Sequence, residues 1–168
     1  MIGAVEQAAI ATGSAFIGAI VGGGFALLAG RQQWRNSLKS RSHEAAARVH
    51  TALLTLSRDW VSLEESGDVE ALATAANGFT AAAEAELPFV RDGEVVERVR
   101  NHIEVTFLFV SSMRNGLHPP EGLINALNKH QCIVIATLGA HIKGDRLPDC
   151  DPLPVGSVLG LLEWGQRP

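Results

Sequence analysis

The N-terminal part of the chain contains a long stretch without charge, and this stretch restricts the possible folds more than any other feature. From Gln7 to Gly30 there are 24 consecutive residues without Asp, Glu, Lys or Arg. As a helix the stretch would be about 36 Å long, which exceeds the roughly 30 Å hydrocarbon core of a bilayer. Uncharged stretches of this length are typical of transmembrane helices. We therefore predict a transmembrane anchor over residues 1–30.

A cleaved signal peptide is the alternative interpretation of this stretch. Such a peptide begins with basic residues and has an apolar core of about 7–15 residues. Here the first seven residues contain Glu6 and no Lys or Arg, and the uncharged stretch is longer than such a core. The sequence therefore favours the retained anchor.

A basic segment follows the uncharged stretch directly. Residues 31–50 carry a net charge of +4, whereas residues 51–168, with nine basic and sixteen acidic residues, carry −7. The positive-inside rule then predicts a single-pass protein of the cell membrane, with its N-terminus outside and its C-terminal domain in the cytoplasm. We expect the segment to fix this topology and to contact anionic lipid headgroups through Arg31, Trp34, Arg35, Lys39 and Arg41. A solvated helix face of a soluble protein is the alternative.

Small residues recur at every fourth position of the uncharged stretch. Such a row allows two membrane helices to approach closely, and it contains one GxxxG pair. A second row (Ala11, Ala15, Ala19 and Gly23) leaves the preferred face open, and glycine is also simply tolerated in membrane helices. The predicted positions for packing between spans in a homo-oligomer are Ser14, Gly18, Gly22, Ala26 and Gly30.

The remainder of the chain predicts four helices. The first is expected from Gln32 to Ser66 and the second over about 69–86, with Asp68 as its N-cap and a break or a kink at Asn77-Gly78. The third begins after Asp92 and ends at Asn115-Gly116, and the fourth runs from about Glu121 to Gly144. Two β-branched runs, 105–110 and 132–137, also have strand propensity, but the long helical periodicity around them favours helix.

These elements predict an all-α fold in three parts. A transmembrane helix over residues 1–30 precedes a four-helix-bundle-like domain over 31–144. A proline-containing tail with a short apolar helix occupies 145–168. Apolar residues at helical spacing define the expected inner faces, which include Ala45, Val49, Ala52, Leu56, Trp60 and Leu63 in the first helix and Val96, Val99, Ile103, Phe107, Val110 and Met113 in the third.

The sequence contains no recognisable catalytic motif, so we expect no enzyme activity and no cofactor. The net charge of −4 and a pI near 5.8 argue against a nucleic-acid partner. Two histidine pairs, His43 with His50 and His130 with His141, share helix faces but lack metal-site spacing, so we expect no metal. Cys132 is expected to be a small core residue, and Cys150, between two aspartates, a poor nucleophile.

The layout resembles the many small uncharacterised bacterial membrane proteins with an N-terminal span, an Arg-rich junction and a helical cytoplasmic domain. This resemblance covers the whole chain at the level of architecture and implies no functional residues. It favours an interaction or regulatory protein that is held at the membrane lipid and acts through contacts with another protein. Two alternatives stay open: a tethered bundle that binds a ligand or metal, with enzyme activity included, and a membrane-active oligomer assembled through its Gly-rich span.

Overall fold

The computed structural model describes the backbone of residues 2–117 and 121–149, and the side chains of residues 29–63, 65–117 and 123–149. Within these residues the fold is all-α, and it comprises α1 (Ile2–Ser66), α2 (Val69–Glu86), a 3-10 turn (Leu87–Phe89), α3 (Gly93–Arg114) and α4 (Glu121–Lys143). The helical interpretation of 105–110 and 132–137 is confirmed. The chain divides into two compact units, residues 1–40 and 41–168.

The predicted starts of α2 and α3 are confirmed by hydrogen bonds that the capping carboxylates accept, whereas the predicted start at Gln32 lies inside the continuous helix α1. Asp68 Oδ1 accepts from the Ala71 amide at 3.0 Å, and this bond satisfies one of the unpaired N–H groups at the start of α2. Asp92 Oδ1 accepts from the amides of Glu94 and Val95 at 3.0 and 3.3 Å at the start of α3. The short polar links before these helices therefore form the expected caps.

The predicted helix ends are confirmed where glycine follows α3 and α4. Gly116 and Gly144 have φ angles of +72° and +76°, which side chains with a Cβ rarely adopt. The chain then turns back, so that the Leu117 amide donates to the Ser112 carbonyl and the Asp145 amide donates to the Ala140 carbonyl. This pattern is the Schellman motif, which satisfies carbonyls at the end of a helix.

The part of α1 in the second unit and the other three helices form an antiparallel bundle. Side-chain contacts pair the start of one helix with the end of its neighbour in every case. The contacts are Arg48 with Glu86, Glu70 with Arg114, Arg98 with Thr137, and Ser42 with His141. The helices therefore alternate in direction, as in an up-down-up-down bundle.

All four helices contribute side chains to one core. Trp60 of α1 is 3% exposed and lies against Phe109 of α3, with ring centroids 5.3 Å apart. The inner face predicted for α1 is confirmed. Ala52 and Leu63 pack against the core as half-buried residues, and the other four predicted positions are buried: Ala45, Val49, Leu56 and Trp60. Sequence spacing missed Ala46 and Leu53, which lie on the same face and are fully buried.

The predicted break at Asn77-Gly78 is wrong, because α2 continues unbroken through both residues. Both residues lie on the exposed side of the helix, and a Cβ added at Gly78 would meet nothing within 4 Å. A glycine inside a helix costs about 1 kcal/mol. Burial of Leu72, Phe79 and Ala83 on the opposite side offsets this cost.

The inner face predicted for α3 is partly wrong. Phe107 was expected inside, but it is 66% exposed, whereas Arg98 and His102 are 8% and 1% exposed. Spacing of i and i+4 predicts an ion pair between Glu94 and Arg98 on the polar side of the helix. The pair forms, but Arg98 lies in the interior. The buried face is therefore rotated towards α4, where polar partners are available for Arg98 and His102.

The expectation for Cys132 is also wrong, because this residue is exposed on α4. Its neighbours Gln131 and Val134 occupy the buried positions of that turn. Cys150 and the apolar part of the tail, residues 155–164, lie outside the described residues.

Among the residues that the structure describes, no helix is long and apolar enough to cross a membrane. Residues 7–28 of the uncharged stretch lie outside the residues whose side chains the structure describes. The predicted span-packing residues Ser14, Gly18, Gly22 and Ala26 fall in the same part of the chain.

Candidate functional site

The basic segment is a part of α1 whose side chains are mostly exposed. Between Ala29 and Ser40, Leu38 is half-buried and every other residue is exposed. Trp34 is 64% exposed, although indole is among the side chains that gain most from burial. The side chains of Arg31 and Arg35 are exposed beside it, and Lys39 follows one turn later. This arrangement of an exposed indole among cations is typical of the interface between water and headgroups.

Arg41 has a different environment from the other four residues of the predicted lipid contact. It belongs to the second unit, and its guanidinium lies 4.1 Å from the centre of the Phe89 ring. This cation–π contact holds Arg41 against the turn between α2 and α3. Gly30, the described member of the small-residue row, is exposed, and a Cβ there would meet nothing within 4 Å.

Two histidines meet inside the bundle, between α3 and α4. His102 and His130 are each 1% exposed, and their Nδ1 atoms are 3.3 Å apart. The sequence did not indicate this pair, because the two residues are 28 positions apart and depend on the register of two helices. The burial of each histidine could have been predicted from its own helix. His102 follows the buried Val99 by three residues and His130 follows the buried Leu127 by three, so each histidine shares the inner face of its helix.

Burial keeps this pair in the neutral form. Desolvation, with a smaller contribution from His130, lowers the pKa of His102 to about 3. Desolvation and the nearby charge of Arg98 also lower the pKa of His130. Neutral imidazoles form one hydrogen bond between their Nδ1 atoms, in which one donates and the other accepts. The Nε2 atom of His102 is buried and has no hydrogen-bond partner among the described residues.

The spacing of the two Nδ1 atoms also matches two ligands of one tetrahedral metal ion. Metal–nitrogen bonds of about 2.0–2.1 Å at a tetrahedral angle separate the nitrogens by about 3.3–3.4 Å. A closed structural site requires four ligands. The described part of the chain contains no group of three or more His, Cys, Asp or Glu residues placed to hold a metal. The hydrogen bond accounts for the contact without an ion.

A second cluster joins α1, α4 and the start of α3. His141 Nε2 lies 3.2 Å from Ser42 Oγ, and His141 Nδ1 lies 3.8 Å from Asp92 Oδ2. The order of atoms is that of a Ser-His-Asp triad, in which a histidine base is oriented by a carboxylate. His43 packs edge-on against His141, with ring centroids 5.3 Å apart. Sequence spacing had paired His141 with His130 and His43 with His50, and the structure makes neither pair.

The environment of Ser42 favours a structural role for this cluster. Ser42 is 2% exposed, and its Oγ accepts a hydrogen bond from the Arg91 amide at 3.0 Å. A nucleophile must instead reach a substrate carbonyl beside donors that stabilise the oxyanion. Desolvation lowers the pKa of His141, opposed by Asp92, so the neutral ring can accept from Ser42. The three side chains therefore link the start of the α1 bundle segment to α3 and α4.

Arg98 forms the polar contact at the same end of the bundle. Its guanidinium donates to Thr137 Oγ1 at 2.8 Å and to the Pro148 carbonyl at 3.0 Å, and it is paired with Glu94. A buried guanidinium is tolerated only when its donors have such partners. Arg98 thereby fixes the chain that follows α4 against α3.

The groove between α2 and α3 has the opposite character. Its middle contains a small pocket of about 80 Å³, with Ala73, Ala76 and Thr80 on the α2 side. Phe107 stands at the edge of this pocket with two thirds of its surface exposed. A second pocket of about 320 Å³ lies nearer the end of α2, between Glu84 and Arg100. An exposed aromatic ring beside an unfilled pocket is a feature of protein–protein contact surfaces.

Comparisons of the chain with protein-family models, with curated proteins and with solved structures find no match.

Proposed function

We propose that this chain is a membrane-anchored helical protein whose bundle lies in the cytoplasm and acts through protein–protein contacts. The observation that carries the proposal is the exposed segment of α1 with Arg31, Trp34 and Arg35, directly after the uncharged stretch. The indole of Trp34 is 64% exposed, and the structure describes no ion pair for the two guanidinium groups. At an anionic membrane surface, each cation contributes about 1 kcal/mol and the indole enters the headgroup region.

The proposed role of the bundle depends on the groove between α2 and α3. Phe107 is more exposed than the other large apolar side chains of the described bundle, and it lies in a pocketed groove. The buried polar side chains Arg98, His102 and His130 form hydrogen bonds within the bundle. The groove is therefore the surface of the described bundle that fits binding another protein.

The membrane part of the proposal is tested by fractionation of cells that express the full chain. The protein should stay in the membrane pellet after carbonate extraction, and its C-terminus should resist protease in intact cells. Charge reversal of Arg31, Arg35 and Lys39 to Glu should expose the C-terminus on part of the molecules. Reversal of Arg58, Arg91 and Lys129, which are exposed in the bundle, is the matched control and should leave the topology unchanged. Recovery of the wild type in the soluble fraction would contradict the anchor.

The protein-contact part is tested by a photo-crosslinking amino acid placed at Phe107 in the full chain in cells. Irradiation should give a covalent adduct with a protein, because the residue lies in the groove. The same amino acid at Arg58, an exposed position on α1, is the control and should give no specific adduct. If Phe107 gives no protein adduct, the groove is not a protein-contact surface in the cell and this part of the proposal fails.

A further inference from the structure

The groove between α2 and α3 carries a projecting side chain and a recess on the same surface. Phe107 projects from α3, and the recess beside it is floored by the small side chains Ala73 and Ala76. A surface of this kind can bind itself, because a two-fold axis sets each projection opposite the recess of the other copy. The charges of the groove decide which two-fold axis is possible.

Charges of opposite sign lie at both ends of the groove. At one end Arg114 of α3 donates to Glu70 of α2, with Nε 3.0 Å from Oε1. At the other end Glu84 of α2 and Arg100 of α3 line the same pocket. Each end therefore carries an acid on α2 and a base on α3. The antiparallel register that these contacts define places Phe107 level with Asn77, beside the small pocket.

A two-fold axis parallel to the helices sets α2 of one copy against α3 of the other at the same level. Glu70 then faces Arg114 of the second copy, and Glu84 faces Arg100 of the second copy. Glu104 lies on the same side of α3 and is level with Thr80. With the parallel axis it therefore faces Thr80 of the second copy and not a carboxylate. An axis perpendicular to the helices would set α2 against α2, and it would bring Glu70 near Glu84 of the second copy. Electrostatic complementarity therefore selects the parallel axis.

We propose that the groove between α2 and α3 is a homodimer interface with its two-fold axis parallel to the helices, in which Phe107 of each copy fills the small pocket of the other. The inference rests on the part of the proposed function that assigns the bundle to protein contacts, and it names the partner. The 18 residues of α2 are about 27 Å long, and two adjacent helices are about 20 Å wide. The buried area is then on the order of 500 Å² per copy, which suits a reversible dimer.

The first test is sedimentation equilibrium of the full chain in detergent micelles. Wild type should dimerise, and Phe107→Glu should raise the dimer Kd by at least roughly 30-fold, as expected for an aromatic anchor at the centre of an interface. Val61→Glu places the same charge on a side chain of α1 that is 59% exposed and should change the Kd by less than about two-fold. A monomeric wild type, or equal Kd values for wild type and Phe107→Glu, would overturn the inference.

The second test separates this interface from contact through the uncharged stretch. In chains with Cys132→Ser and Cys150→Ser, one population carries Ala81→Cys and the other Glu104→Cys. The parallel axis places these positions at neighbouring levels on facing helices, so mild oxidation of the mixture should give the mixed disulfide dimer. If oxidation links only like chains, or gives no dimer, the inference is wrong.

The two proposals also fail separately. An adduct from Phe107 with a different protein would keep the proposed function and overturn the homodimer. An adduct with twice the mass of the chain supports both.

Discussion

The two sides of α3 invert the usual relation between polarity and burial. Towards α4 the helix buries a guanidinium and an imidazole, Arg98 and His102. Towards α2 it exposes the phenyl ring of Phe107. Both sides belong to one helix of 22 residues, so helix propensity is not the cause of the difference. Partners decide it, because α4 supplies His130 and Thr137 to the polar groups, whereas the α2 side leaves a recess beside the ring.

This inversion teaches that the buried polar side stabilises the fold and that the exposed apolar side is available for binding. Polar groups in the interior are costly unless they are paired, so each loss of a partner there should destabilise the bundle. An exposed ring contributes little to folding, so its loss should affect association only.

The largest effect should come from protonation of the buried histidines. The unfolded chain binds a proton to His102 near pH 6.5, and the folded chain binds it only near pH 3. Between these values the unfolded state holds more protons, so stability falls as the pH is lowered. The full loss is up to roughly 5 kcal/mol at pH 3, at about 1.4 kcal/mol per pH unit. Urea denaturation of the full chain from pH 7.5 to 3, followed by circular dichroism, measures it.

The same series on two variants assigns the pH effect. His102→Leu should flatten the dependence between pH 6.5 and 4, because the group that resists protonation is gone. His50→Leu, at a half-buried position of α1 where burial also lowers the histidine pKa, should retain most of it. If the slope in His102→Leu equals that of the wild type, the buried pair is not its source.

An apolar contact of the core provides a reference for the polar side. Trp60→Ala should lower the free energy of unfolding by about 3–5 kcal/mol, because it leaves a cavity against Phe109. Trp60→Phe should cost less, since it also removes an indole N–H that has no partner in the described structure. Val61→Ala, at the neighbouring exposed position, is the control and should change stability by less than about 0.5 kcal/mol. A neutral Trp60→Ala would contradict the placement of α1 in the core.

Loss of the buried guanidinium should have an intermediate effect. Arg98→Met removes the hydrogen bonds to Thr137 and to the Pro148 carbonyl and should cost about 2–3 kcal/mol. The chain after α4 loses its tether, so trypsin should cleave faster after the exposed Arg146. Arg91→Met, at an exposed position, should change neither quantity. Unchanged cleavage in Arg98→Met would show that Pro148 is held by other contacts.

Local sequence signals were sufficient to predict the helices of the bundle but not the contacts between them. Asp68, Asp92 and Gly144 act within one helical turn, so their roles follow from the sequence alone. The Cys132 and Phe107 errors arose because apolar periodicity defines a stripe only to within about one residue. The His102–His130 pair depends on the register of two helices, and spacing along the chain carries no information on that register.

The smallest effect on the stability of the fold should come from truncation of Phe107, on the exposed apolar side of α3. The ring is 66% exposed, so Phe107→Ala removes little buried apolar surface and should change the free energy of unfolding by less than about 0.5 kcal/mol. The measurement belongs at low protein concentration, where monomers predominate, because dimer dissociation would otherwise add to the apparent loss. Val110→Ala, one turn away and 6% exposed, is the matched control and should cost about 1–3 kcal/mol. If Phe107→Ala destabilises the monomer as much as Val110→Ala, the ring is part of the core in solution. Both sides of α3 would then stabilise the fold, and the groove would be filled by the Phe107 ring of the same chain.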